Sequence, residues 1–221
     1  MKRHWTTMSS ALLLAVGALA QTGPEKYHAA KVIQAGDVPY PLNTSTPGFV
    51  SLDVIVDSSG KLQNVIVVRD VPPLTDAVQN SIKHWQFSPA IEGGQAVTGV
   101  VQIDVAFNPF NPSGVGLPGP SLQPPNATGG GNFQPANLQN ATYATYPPNT
   151  VAYGTAVLQV HVGSDGKVRK VTAISGKAEL STAAMAAAKT WGFAPATYKG
   201  KPVGSDVVVA FVFQQPQAGT Q

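Results

Sequence analysis

Two distant stretches of the chain alternate apolar and polar residues. Val50, Leu52, Val54 and Val56 interleave with Ser51, Asp53 and Ile55, and Leu158, Val160 and Val162 repeat the rhythm. A period of two puts alternate side chains on opposite faces and predicts a half-buried strand in each place. "DSSGK" and "GSDGK" come next, each with glycine where a tight hairpin needs positive φ. Second strands are expected through Val65–Val68 and Val171–Ile174. The period then changes to a helical one. Leu74, Ala77, Val78, Ile82 and Trp85 fall on one helix face, as do Leu180, Ala183, Ala184, Ala188 and Trp191. Thr75 and Ser181 are the expected N-caps, and Pro89 and Pro195 require each helix to have ended. Turns at Gly94 and Gly200 lead into long last strands, Val97–Phe107 and Val203–Phe213.

The stretches are copies of one module. Tyr40-Pro41 aligns with Tyr146-Pro147, Gly60-Lys61 with Gly166-Lys167, and Leu74 with Leu180. The phrase Trp85, Phe87, Pro89, Ala90 recurs as Trp191, Phe193, Pro195, Ala196, and Phe107 falls on Phe213, with no insertion needed. The domains are read as 30–108 and 136–214. Between them, 109–135 is rich in Pro and Gly and is read as a linker in which neither helix nor strand persists.

The expected fold class is therefore α+β: two tandem β-β-α-β modules, each an antiparallel three-stranded sheet with one helix. A module this small has little apolar volume to spare. Trp85 and Trp191 are expected to close the last helical turn facing the sheet, with Phe87 and Phe193 entering the same core. All four are read as structural. The last strands differ. In copy one Val101, Ile103, Val105 and Phe107 point inward and Gln102, Asp104 and Ala106 outward. In copy two Val208, Ala210 and Val212 make the second face apolar as well, so that face should be covered by module one, a second chain or a partner.

Composition narrows the function. The chain has 221 residues, 11% charged, with a formal charge of +3. Lys2 and Arg3 account for much of that excess, and no basic stripe remains for nucleic acid. Residues 1–20 combine a basic start, an apolar stretch and Ala18-Leu19-Ala20, the parts of a cleavable signal peptide. The mature protein is expected in the periplasm or secreted; an uncleaved inner-membrane anchor is the alternative. The absence of cysteine leaves stability to the cores. His28, His84 and His161 share no metal-ligand spacing, and no nucleophile elbow or phosphate loop is present. No catalytic residue, metal or cofactor is expected.

Strand, Gly-Lys hairpin, strand, Leu-led helix, Lys-x-Trp-x-Phe-x-Pro-Ala, Gly turn and Phe-ended strand, preceded by Tyr-Pro, together resemble the C-terminal domain of the TonB energy-transducer family. The resemblance implies a periplasmic domain. It implies a protein or peptide partner, the extended TonB box of an outer-membrane transporter, added as a strand beside the last strand of the sheet. The edge strands so implied comprise Val101, Ile103, Val105 and Phe107, and Val207, Val209, Phe211 and Phe213, with Tyr40 and Tyr146 flanking. A homodimer or packing between the modules through the second domain is a further expectation. The chain departs from a transducer in its short lead before module one. A scaffold of the envelope with the same fold and no transport coupling is therefore the alternative reading.

Overall fold

A computed structural model describes residues 27–214 apart from 42, 43, 45, 109–117, 122–131 and 149, with the backbone alone at 118–121. The signal peptide expected at 1–20 lies outside the described residues. Module one contains β1 (Lys31–Gln34), β2 (Gly48–Val56), β3 (Leu62–Arg69), α1 (Leu74–Ile82), β4 (Gln86–Ser88), β5 (Ala90–Glu92), β6 (Gln95–Val97) and β7 (Gly99–Asn108). Two short strands follow, β8 (Pro118–Ser121) and β9 (Phe133–Gln134). Module two contains β10 (Asn137–Thr142), β11 (Gly154–Val162), β12 (Val168–Ser175), α2 (Ala178–Ala188), β13 (Gly192–Ala194), β14 (Ala196–Tyr198), β15 (Lys201–Val203) and β16 (Ser205–Phe213).

The long strands do not make two three-stranded sheets. They make one six-stranded sheet in the order β12-β11-β16-β7-β2-β3, antiparallel except where β16 and β7 run parallel at its centre. Val208 stands opposite Ile103, whereas the repeat counterpart of Ile103 is Val209. Facing residues share a face of the sheet, so this one-residue offset turns counterpart positions to opposite sides. α1 therefore covers one face with Leu74, Val78 and Ile82, and α2 covers the other with Leu180, Ala184 and Ala188.

That arrangement explains several departures from the strand periodicity. β2 is buried along almost its whole length, Ser51 and Asp53 included, and Gln102, Asp104 and Ala106 are 1%, 0% and 0% exposed instead of facing water. Ala106 and Phe49 belong to the core that α2 roofs. The second apolar face of β16 is covered by module one: Val208, Ala210 and Val212 join the core of Leu52, Ile103 and Val105.

Local corrections follow from backbone chemistry. α2 begins at Ala178, so Ser181 lies inside its first turn and not at its cap. The counterpart of Ala178 is Pro72, and Pro72-Pro73 delay α1 to Leu74 because a residue ahead of proline avoids helical angles. Thr75 is then also inside the helix, its buried Oγ1 accepting the Val71 N–H at 2.8 Å. Both helices stop three residues before their Trp, and the Trp85 and Trp191 N–H groups return to Ile82 and Ala188 carbonyls. The expected last strands each break, at Thr98 and at Gly204, into a short hairpin arm and a long strand. Finally, the stretch 109–135 does hold strands. β8 pairs with β10 and β9 with β14; proline is admissible in β8 because it lies at the edge of its sheet.

The hairpin glycines show why the repeated motifs sit where they do. Gly60 and Gly166 have φ of 86° and 78°. A Cβ on Gly166 would fall 2.0 Å from the Phe193 carbonyl oxygen, and one on Gly60 2.7 Å from that of Phe87. The hairpin tip thus docks on the Trp-x-Phe segment. Gly166→Ala is expected to destabilise by several kcal/mol, combining a backbone clash with left-handed strain of about 1 kcal/mol. Gly200→Ala, with φ of 76° and nothing within 4 Å, should lose only the latter. Urea denaturation of the two variants checks the difference; equal losses would mean the hairpin contact contributes nothing.

Candidate functional site

The seam between β7 and β16 is where sequence reasoning placed the partner. Its ladder pairs Ile103 through Asn108 with Val208 through Phe213 in unbroken register. Ile103, Val105, Phe107, Val209, Phe211 and Phe213 therefore do not line a free edge; Val101 and Val207 lie just short of this ladder, and all eight are at most 2% exposed. The physical reason is the one an edge strand itself supplies: unpaired N–H and C=O groups take any extended partner, and here each module provides the other's. Tyr40 and Tyr146 close their own loops, donating to the Thr46 carbonyl at 2.8 Å and to the Ala152 carbonyl. Each also packs edge-on against the Phe near the end of its module's last strand, Phe107 and Phe213.

Side chains lock the seam from both faces. Phe49 crosses into the core of module two, 4.5 Å from the Tyr143 ring and 5.8 Å from Trp191. Thr155, the counterpart of Phe49, binds back to module one: its Oγ1 accepts the Val38 N–H at 2.8 Å and donates to the Val38 carbonyl at 3.0 Å. Asn108 Oδ1 accepts the Ala144 N–H. Sequence reasoning missed Phe49 and Thr155. The one available signal was that aligned positions differed so sharply in size and polarity.

At the open end of the seam, Tyr27 stacks on Phe133 and Tyr198 with centroids 4.8 and 5.3 Å away. Tyr198 Oη donates to Glu92 Oε1 at 2.5 Å, joining two counterpart positions across the modules. Cavities of about 380 and 390 Å³ flank this stack. Burial, then the Glu92 carboxylate and Tyr198, push Tyr27 up to about 12, so it stays a neutral packing group. Beside it Asp206 gathers Gln159 Nε2 at 2.7 Å, His161 Nδ1 at 2.9 Å and Lys31 Nζ at 3.6 Å. His28 lines the same cavity as His161 and pairs through its backbone with Ile91, whereas His84 is exposed beyond α1. Among the described residues no three metal-ligating side chains stand together.

One buried polar cluster lies on the seam strand itself. Asp104 is fully buried, accepting from Ser51 Oγ at 2.6 Å and Gln102 Nε2 at 3.1 Å. Desolvation dominates and raises its pKa to about 7; Asp53 raises it further, while Ser51, Gln102 and Arg69 oppose.

The outer strands β3 and β12 end the sheet, and both are irregular. Their ladders slip between Ser51/Leu52 and Ile55/Val56 in one module, and between Val157/Leu158 and His161/Val162 in the other. Bulges of this kind twist an edge away from further pairing. Asn64 Oδ1 additionally occupies the Val65 N–H of β3, and Arg169 and Lys170 lie on β12.

Fold and site together define a duplicated α+β domain, fused through its own last strands. The family model for the Gram-negative bacterial TonB protein C-terminal matches residues 44–109 and again 141–214, more than half of the chain. The chain belongs to this family, as two tandem copies. No curated protein and no solved structure matches it. The family's general role is TonB-like energy transduction, through protein-interaction domains that work in the periplasm. No helix among the described residues is long and apolar enough to cross a membrane.

Proposed function

We propose that the protein is a periplasmic interaction module of the cell envelope whose last-strand ladder is satisfied within the molecule, so that it acts as a scaffold. The observation that carries this reading is the six-pair parallel ladder between β7 and β16. A foreign strand could reach those backbone groups only by displacing the sister module, against the burial of Phe49, Val208, Ala210 and Val212. A second reading is supported by family membership. In it, the seam parts and a transporter's extended periplasmic segment adds to β7 or β16, coupling the protein to transport.

A disulfide staple separates the two. Val105 and Ala210 face each other across the seam, and the chain has no cysteine to interfere. The double variant Val105→Cys/Ala210→Cys is expected to oxidise and to retain every interaction of the wild type. If the wild type binds synthetic N-terminal segments of TonB-dependent transporters in isothermal calorimetry and the oxidised variant does not, the scaffold reading fails and seam opening is the mechanism.

A further inference from the structure

We propose that the outer edge of β1 is a docking site for an extended, uncharged, proline-containing segment of a partner protein. The proposal rests on reading the chain as an interaction protein, but not on whether the seam opens.

The two modules treat the same strand differently. β1 pairs with β4 as Lys31↔Ser88, Val32↔Phe87 and Gln34↔Gln86. Its counterpart β10 pairs with β13 as Asn137↔Ala194, Leu138↔Phe193 and Asn140↔Gly192, with the same irregularity at the same step. β10 has a second neighbour. The backbone of Pro118–Ser121, a Pro-Gly-Pro-Ser run, adds antiparallel to its other side, with Ser121 opposite Asn140 and Pro118 opposite Thr142. Among the described residues no strand other than β4 pairs with β1, although β12 of module two lies near it, and its sheet stops at two strands. The molecule therefore displays, in module two, the class of segment that this edge accepts.

Side chains around β1 agree. Val32 is buried while Lys31, Ile33 and Gln34 are exposed. Ile33 is 61% exposed and is one of the few large apolar side chains so open; its counterpart is Gln139. A second polar signal lies behind the strand. Trp191 Nε1 donates to the Thr142 carbonyl at 3.0 Å, at the position where Pro118 holds β10 extended. Trp85 Nε1 is buried and has no hydrogen-bond partner among the described residues. The counterpart of Thr142 is Gly36, which lies beside the Trp85 indole but outside any strand. A segment paired along Gln34 and Gly36 would extend β1 to Gly36 and bring a carbonyl to that indole, satisfying a donor that is otherwise buried without a partner. Backbone pairing would supply affinity, and contact with Ile33 the preference for an apolar side chain.

The probe is a synthetic peptide of residues 115–124, Val-Gly-Leu-Pro-Gly-Pro-Ser-Leu-Gln-Pro, added in excess to the ¹⁵N-labelled full mature chain. Saturable shifts are expected in the amides of Lys31–Gln34 and in the Trp85 indole N–H, which should become protected from exchange, with the Trp191 indole unmoved. Ile33→Lys, an exposed and structurally tolerant change, should weaken binding at least tenfold. Shifts confined to β10, or to β7 and β16, would show exchange with β8 or entry into the seam and would overturn the assignment. So would undiminished binding by Ile33→Lys, or no shift of the β1 amides at millimolar peptide. The oxidised seam staple distinguishes the two readings: binding at β1 should survive it.

Discussion

Trp191→Ala is expected to lower stability by roughly 3–5 kcal/mol, and to do so for both modules at once. The indole is 3% exposed. It packs 5.1 Å from Phe211, receives Phe49 from the other module at 5.8 Å, and anchors β10 through Thr142. Removing it leaves a cavity at the point where the two cores meet. Phe49→Ala should cost a comparable amount although Phe49 belongs to module one, because its ring is buried in module two's core. Urea unfolding followed by far-UV circular dichroism should show one cooperative transition in wild type and in both variants, since shared burial couples the modules. Two separated transitions in the wild type would contradict a common core.

The second large effect is pH-dependent. Asp104 is raised from 3.8 to about 7 in the folded state, so the folded protein holds a proton that the unfolded chain has already released. Folded pKa above unfolded pKa means full stability below about pH 4, loss as pH rises, and the whole penalty in place above pH 7. At about 1.4 kcal/mol per unit the penalty is on the order of 4 kcal/mol. Asp104→Asn keeps the shape, removes the charge and should flatten this slope, leaving the variant more stable than wild type at pH 8 and nearly equal at pH 4. Denaturant midpoints measured across that range test it. Parallel pH profiles for the two proteins would show that Asp104 does not titrate within the folded state.

Much of the fold was legible because repetition removed ambiguity. Each period was read twice, and the hairpin glycines, the Leu-led helix and the Trp-x-Phe corner recur at matched positions. Thr75 and Ser181 do not cap their helices because both helices begin ahead of them, at Leu74 and Ala178; the Pro72-Pro73 pair shortens one helix but not its copy. The stretch 109–135 failed for a tertiary reason. A Pro-Gly-Pro-Ser run has no strand propensity alone, yet an available edge on β10 orders its backbone. The apolar second face of β16 predicted a cover, and module one proved to be it.

The sequence by itself determined two copies of one small module, their main elements and their aromatic anchors, because these depend on short-range periodicity and turn chemistry. Only the tertiary structure decided that the last strands pair with each other, in a register that sends the helices to opposite faces. Backbone ladders are nearly blind to side-chain identity. The choice between a foreign strand and a sister strand was therefore set by packing of residues far apart in the chain, Phe49 against Trp191 and Val208 against Ile103, which no local pattern records.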